Sequence, residues 1–233
     1  MIKFGGIELT DIVPVKIEDV AVSPVRLSPV ARSRAIRPGE EFIRQKKGTR
    51  TVNISFALLE MDTAERERAM LTLREWANSE TEKTLSLPQF EDKHLECICT
   101  AFPDHSYRKW WESKLRLQFT CFNNPFWTSD ELIEVPCGQV FSIGGNEQPL
   151  MTIERNAGSA LRNQVYASRT EAMTFSTVPA GRLVIDLNRQ TAAIGNTSIM
   201  QYYLPSSTWI VPKIGANQII TGNGVIRYRE RWE

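Results

Sequence analysis

Four cysteines and two histidines are the side chains of this sequence that could hold a soft metal ion. Cys97 and Cys99 are two residues apart, His94 precedes them, and Cys121 and Cys137 follow. A tetrahedral zinc site needs converging ligands, often supplied by C-x-x-C pairs, and the sequence has no such pair. His94 and Cys97 would point to opposite faces of a strand, and Cys97, Cys99 and Cys121 fall at apolar positions, where a thiol acts as a small hydrophobic group. We therefore expect core cysteines, with no metal and no cofactor.

Asp104, His105 and Ser106 are the three residue types of a hydrolytic triad, but they are consecutive in the chain. The groups of a triad converge from separate elements, so this run does not form one. The sequence also lacks the G-x-S-x-G, P-loop, G-x-G-x-x-G and H-E-x-x-H motifs. No feature singles out two of the 27 acidic residues as a glycosidase pair. We therefore expect no catalytic residues and no enzyme activity, and a hydrolase is the least favoured alternative.

Three aromatic residues, Tyr202, Tyr203 and Trp209, lie close together in the sequence and could stack on a sugar ring. Trp110 and Trp111 form a second such group. The alternative is packing in a core or an interface, because large aromatic side chains are usually buried. We favour packing and keep ligand stacking by the first three residues as the other hypothesis.

A long irregular segment, residues 23–50, carries eight basic residues and two acidic ones. A connection of this length in a compact domain usually has a function, and we interpret it as an extended hairpin or arm. Phe42 is its only aromatic residue, so it offers no stacking platform for nucleic acid. Contact with a neighbouring subunit is favoured because such arms commonly become ordered on assembly. The predicted interface residues are basic: Arg32, Arg34, Arg37, Lys46, Lys47 and Arg50.

Alternating apolar residues predict the strands that position these candidates. Residues 51–59, 94–101 and 114–122 each alternate with a period of two, as Val52 and Ile54 illustrate. This period is typical of strands with one buried face.

One amphipathic helix is predicted at about residues 63–77. Asp62 is a suitable N-cap, and Glu65 stands three positions later as the return partner of a capping box. The apolar stripe predicted to pack on a sheet is formed by Ala69, Met70, Leu73, Trp76 and Ala77.

The chain of 233 residues is long enough for two small domains. We predict a mainly β protein with two β-sandwich-type domains, the first of which carries the helix and the arm. The first domain covers 1–127, a linker covers 128–140, and the second domain covers 141–233. Turn residues separate many short predicted strands in the second domain, including 198–203 and 208–211, which is typical of a β-sandwich.

The charge and hydropathy patterns exclude several classes of partner. A formal net charge of +1 gives no strong bulk attraction to nucleic acid or to an anionic membrane. No stretch approaches the ~18 consecutive apolar residues of a membrane span. The N-terminus lacks the apolar core and cleavage site of a secretory signal. We expect synthesis in a cytosol, with neither a membrane nor a specific nucleic acid as a partner.

Several segments occur in an order that resembles one family of phage proteins. They are residues 4–9 (FGGIEL), 48–56 (GTRTVNISF), 73–76 (LREW) and 119–126 (FTCFNNPF). This part resembles the N-terminal domain of the distal tail protein of long-tailed siphoviruses and related prophages. The second half, with residues 183–186 (LVID), a hairpin at 195–196, Trp209, residues 215–217 (GAN) and residues 229–232 (RERW), resembles the galectin-like C-terminal domain of that family.

The resemblance implies a structural virion protein at the tail tip, assembled in the cytoplasm of a bacterial host. Six copies would form a ring through their N-terminal domains. The ring would connect the tail tube protein with tail-associated and receptor-binding proteins. The alternative is a carbohydrate- or cell-wall-binding module that uses the C-terminal sandwich. Galectins bind sugar with a strand histidine, and both histidines of this chain precede residue 106, which argues against that alternative.

Overall fold

Strands with alternating apolar residues make up most of the molecule, and the fold is mainly β, as predicted. The computed structural model describes residues 1–33, 40–59, 62–102, 114–220 and 222–233. These residues form two compact units, which we call unit 1 (Met1–Trp127 with Glu233) and unit 2 (Thr128–Trp232). Among the described residues, no helix is both long enough and apolar enough to cross a membrane.

Unit 1 combines an antiparallel sheet, a separate two-stranded ribbon and two helices within its described residues. Its strands are β1 (Lys3–Phe4), β2 (Ile7–Glu8), β3 (Val15–Val22), β4 (Leu27–Ser33), β5 (Glu40–Lys47), β6 (Arg50–Leu58), β7 (Lys83–Leu87), β8 (Phe90–Ala101) and β9 (Lys114–Cys121). The helices are α1 (Leu9–Ile12) and α2 (Thr63–Ala77). The sheet order is β3–β6–β9–β8–β7–β1–β2, and β4 pairs with β5.

Helix α2 spans the residues that the apolar stripe predicts. The Asp62 side chain accepts a hydrogen bond from the Glu65 N–H at 2.7 Å, and the Glu65 carboxylate accepts one from the Asp62 N–H at 3.2 Å. This capping box satisfies two of the backbone donors that a helix start leaves unpaired. The residues of the stripe are buried, whereas Leu71 on the opposite side is exposed.

The core of unit 1 lies between α2 and the sheet. Val52, Ile54 and Phe56 are fully buried on one face of β6, as their alternation predicts. The ring of Phe4 lies 5.0 Å from that of Phe119 and 5.8 Å from that of Trp76. These distances are typical of favourable aromatic pairs, so the helix packs against side chains of two separate strands of the sheet, β1 and β9.

Unit 2 contains an antiparallel sheet and two further ribbons within its described residues. Strand β10 (Trp127–Ser129) crosses the division between the units. The strands that follow it are β11 (Ile133–Pro136), β12 (Val140–Ile143), β13 (Glu147–Ala157), β14 (Leu161–Ala167), β15 (Ala172–Val178), β16 (Gly181–Asp186), β17 (Thr191–Ile194), β18 (Thr197–Ser198), β19 (Gly215–Gln218) and β20 (Val225–Trp232). The sheet order is β18–β17–β16–β13–β20–β11, and the ribbons are β12–β19 and β14–β15. Strand β11 lies inside the segment 128–140.

One apolar core unites the sheet and the ribbons of unit 2. Ile153, Ile185 and Ile226 enter it from three neighbouring strands of the sheet, and Tyr166 and Phe175 enter it from the ribbon β14–β15. Because each strand contributes alternate residues, the two layers pack face to face.

Two local predictions for unit 2 are wrong, and one strand is not predicted. Residues 198–203 contain a 3₁₀ helix, Met200–Tyr202, where we predict a strand. Residues 208–211 are irregular, although the Thr208 N–H still donates to Ala172 O at 2.8 Å along the edge of β15. Strand β14 is absent from the prediction because polar residues interrupt its alternation, and Asn163 has a positive φ of 48°.

Candidate functional site

The predicted arm is an antiparallel hairpin, the ribbon β4–β5. Its register runs from Leu27 opposite Lys47 to Ser33 opposite Glu40. At its base, the Gly48 N–H donates to Arg26 O at 2.7 Å, and the Arg26 N–H donates to Thr49 O at 2.9 Å. The seven residues of β4 span roughly 23 Å at about 3.3 Å per residue. Within the described residues, β4 and β5 pair only with each other, so both outer edges of the ribbon are open.

The described side chains of the ribbon combine apolar and cationic groups at its surface. Leu27 and Ile43 are exposed, and Ile43 is the extra residue of a bulge between the pairs Val30–Arg44 and Ala31–Phe42. Arg44 and Lys46 are exposed as well. Open strand edges beside exposed apolar groups are a ready template for another chain.

The six predicted interface residues do not share one environment: some are exposed, one is buried, and two lie outside the described residues. Lys46 is exposed on β5, while the Lys47 Nζ lies 3.2 Å from Glu233 Oε2 and 5.2 Å from the centre of the Phe126 ring. Arg34 and Arg37 lie outside the described residues. The backbone of Arg32 is opposite that of Glu41 in the ribbon.

Arg50, one of the six predicted interface residues, is buried in unit 1 and does not belong to the exposed surface of the arm. It begins β6 opposite Cys121, it is only 3% exposed, and burial lowers the pKa of its guanidinium. Its Nε and Nη1 have no hydrogen-bond partner among the described residues. The residue therefore does not present its charge at the surface. Arg50 is two residues before Val52, so both side chains lie on the same, buried face of β6. This position in the alternation is a better guide to its burial than its charge.

Two of the three aromatic residues considered for ligand stacking pack inside unit 2, in line with the interpretation that we favour. Trp209 is 9% exposed, and its Nε1 donates to Leu187 O at 3.1 Å. The Tyr203 ring packs 5.4 Å from Trp209 and 5.6 Å from Phe175, and burial raises the pKa of Tyr203. Tyr202 is half-buried at the end of the 3₁₀ helix. Packing therefore accounts for Trp209 and Tyr203, whereas Trp110 and Trp111 lie outside the described residues.

The cysteines are core and near-core residues of their strands. Cys97 and Cys121 are buried, and Cys99 and Cys137 are half-buried. A hydrogen bond with Cys121 and burial raise the pKa of the Cys97 thiol, and burial raises that of Cys99 to about 11. No group of three or more metal-ligating side chains occurs within the described ranges. The run Asp104–His105–Ser106 lies outside them.

A network of charges crosses the outer face of the unit 2 sheet. The Glu154 carboxylate accepts hydrogen bonds from Arg182 Nη2 at 2.6 Å and from Arg227 Nη1 at 2.8 Å. Arg227 also lies 2.8 Å from Glu134. Burial opposes the ionisation of Glu154, but the two guanidinium groups outweigh it and lower its pKa. The charges of this network are paired with one another within unit 2.

Unit 2 has a cleft of about 260 Å³ that the sequence does not predict. Buried Phe141, Met151 and Ile219 contribute to its lining, and exposed Arg169 and Lys213 stand at its rim. The lining comes from four separate parts of unit 2, around residues 140, 151, 170 and 215. No local pattern in the sequence reports such a convergence.

Comparison with known proteins gives a likeness in fold. No protein-family model and no curated protein sequence matches the chain. The SPP1 Dit (gp 19.1) protein, described as a paradigm of the hub adsorption apparatus in phages that infect Gram-positive bacteria, matches with a TM-score of 0.76 at 13% identity. That match covers 100% of this chain and 98% of the other. A structure of the phage P2 baseplate in its activated conformation covers 93% of this chain and 90% of the other at 9% identity, with a TM-score of 0.44. The chain thus has the fold of the SPP1 Dit hub protein over its whole length.

Proposed function

We propose that this chain is a structural protein of a phage virion, located at the distal end of the tail. Six copies form a ring that connects the tail tube with the tail-tip apparatus that recognises the host. The observation that carries the proposal is the match in fold to SPP1 Dit, with a TM-score of 0.76 over 100% of the chain. The order of the sequence segments described above supports the same family. Assembly takes place in the cytoplasm of the bacterial host.

The ribbon β4–β5 supplies the contact between copies in this proposal. A ring is built from heterologous contacts, in which one surface of each copy meets a different surface of the next. The ribbon has open edges, exposed Leu27 and Ile43, and exposed Arg44 and Lys46. Covering it with a neighbouring copy would pair its edges and remove its apolar side chains from water.

The partners of the ring are the tail tube protein on one side and tail-associated, receptor-binding proteins on the other. No catalytic residue is assigned to this chain, because its role is to hold these proteins together. The carbohydrate-binding alternative is disfavoured because Trp209 is buried and its indole N–H donates to Leu187 O.

Immunogold labelling of intact virions tests the location. Antibodies against the chain should bind at the distal tip of the tail, and virions whose copy lacks unit 2 should lose the label of an antibody specific for unit 2. Gold particles along the whole tube, or on the capsid, would contradict the proposal.

A further inference from the structure

Two of the five exposed large aliphatic side chains in the described part of unit 2 line its cleft. Val140, which is 65% exposed, and Val211 line the cleft directly. Ile214 and Ile220 are exposed and each follows a lining residue in the chain. Among the described residues of unit 2, Leu132 is the one other large apolar side chain that is exposed. Exposed apolar side chains that line a cleft are typical of an interaction site, whereas single exposed apolar residues are ordinary.

The walls of the cleft are held in place by hydrogen bonds within unit 2. The Glu171 carboxylate accepts from the Val211 N–H at 3.1 Å and from Ser168 Oγ at 3.4 Å, which ties two loops together. The Asn217 side chain accepts from the Lys213 N–H at 3.1 Å and donates to Gly215 O at 2.8 Å. The shape therefore exists before any partner binds, which lowers the entropic cost of binding.

The rim of the cleft has an unbalanced positive charge. Arg169 and Lys213 are exposed, and neither has an ion-pair partner in the part of the chain that the structure describes. Glu171, the acidic residue of the lining, accepts hydrogen bonds from the neutral groups of Val211 and Ser168 and keeps its own charge. Arg169, Lys213 and Glu171 together therefore carry a formal charge of 2 − 1 = +1. A partner that is complementary to this rim carries carboxylates beside an apolar group.

The size of the cleft favours side chains over a larger ligand. Its volume of about 260 Å³ is below the ~300–1,000 Å³ of pockets that enclose drug-sized molecules. Its apolar lining is mostly aliphatic, with Phe141 buried at the floor. An aliphatic side chain projecting from a docked polypeptide fits this description better than a sugar ring, which would need an exposed aromatic face.

We propose that the cleft docks an acidic segment of a partner protein, with an aliphatic side chain inserted between Val140 and Val211 and flanking carboxylates paired with Arg169 and Lys213. The proposed hub function enters this inference at one point: it names the source of the acidic segment, which is a protein of the tail tip. The cleft itself is complete within one copy of unit 2.

A titration with a defined peptide tests the proposal. The full chain, labelled at Val, Leu and Ile methyl groups, is titrated with the peptide GEDLLDEG and observed by NMR. We expect saturable shifts of the methyl signals of Val140, Val211 and Ile219, and no binding of the matched peptide GKKLLKKG. The double variant Arg169→Glu/Lys213→Glu should weaken the binding at least about tenfold, because it places carboxylates against carboxylates. The matched control Arg162→Glu/Arg189→Glu, on exposed positions outside the cleft, should bind as the wild type does.

Three results would overturn the proposal. They are the absence of saturable shifts, shifts that lie away from the cleft, and equal binding of the acidic and basic peptides. If Val140→Asp changed the mass of the assembly, the cleft would be a contact between copies, which would also refute it. The test is independent of ring formation. A ring-forming chain that ignores the peptide refutes the cleft alone. A chain that binds the peptide but stays monomeric even with the tail tube protein refutes the ring alone.

Discussion

The indole Nε1 of Trp76 donates a hydrogen bond to the backbone carbonyl of Ile7 at 3.2 Å. Through this bond, the last turn of α2 is fixed to β2 at the edge of the unit 1 sheet. The same indole ring lies 6.3 Å from that of Phe119 on β9. One side chain thus joins three segments that are far apart in the sequence.

Trp76→Ala should destabilise unit 1 by about 3–5 kcal/mol, because it removes a large side chain that is only 7% exposed. Urea unfolding followed by circular dichroism measures this change. Leu71→Ala on the same helix is the control, since Leu71 is 61% exposed and its loss should cost less than about 0.5 kcal/mol. A similar small effect for Trp76→Ala would show that the helix packing is assigned incorrectly.

Helix α2 and strand β6 follow from the sequence because their signals are local. Asp62 and Glu65 specify the start of the helix, and alternation specifies the buried face of β6. The segments at 198–203 and 208–211 could not be predicted, because their conformation depends on distant partners such as Ser176, which donates to Tyr202 O, and Ala172, which accepts from the Thr208 N–H. The charge of Arg50 suggests an interface residue, whereas its position in the alternation of β6 indicates the core, where it lies. The cleft was missed because its walls come from separate parts of the chain.

The thiols of the folded chain should react slowly with a chromogenic disulfide at pH 8. Only the thiolate reacts, and burial raises the pKa of Cys99 to about 11, while a hydrogen bond with Cys121 and burial raise that of Cys97. A raised pKa keeps the thiol protonated until the pH approaches that value. All four cysteines should react rapidly with a chromogenic disulfide in urea and slowly without it. Equal rates in the two conditions would contradict the buried assignment.

Glu154→Gln should destabilise unit 2 at neutral pH and have little effect at low pH. The guanidinium groups of Arg182 and Arg227 lower the pKa of Glu154 below its ordinary value of 4.5. Ionised Glu154 therefore stabilises the fold above that value, and this contribution disappears as the pH falls through the lower pKa of the folded state. Urea unfolding of both proteins at pH 7 and pH 3 measures the difference. A gap that is the same at both pH values would contradict the role of the carboxylate.

Reversing five positive charges of the predicted arm should prevent assembly and leave the monomer folded. The variant replaces Arg32, Arg34, Arg37, Lys46 and Lys47 by Glu, and it leaves the buried Arg50 unchanged. Circular dichroism checks the fold, and light scattering measures the mass. Arg162→Glu/Arg189→Glu in unit 2 is the control and should assemble normally. An unchanged ring in the ribbon variant would refute the assignment of the ribbon to the contact between copies.

The most direct test of the proposed hub is the mass of the purified assembly, measured by light scattering and followed by negative-stain images of the same fraction. Six copies of the 26.5 kDa chain have a mass of about 159 kDa, and we expect this mass, or a multiple of it, together with six-fold rings. The measurement is made on the chain alone and with the tail tube protein, which can template the ring. A monomer under both conditions, or a closed ring of another symmetry, would contradict the account.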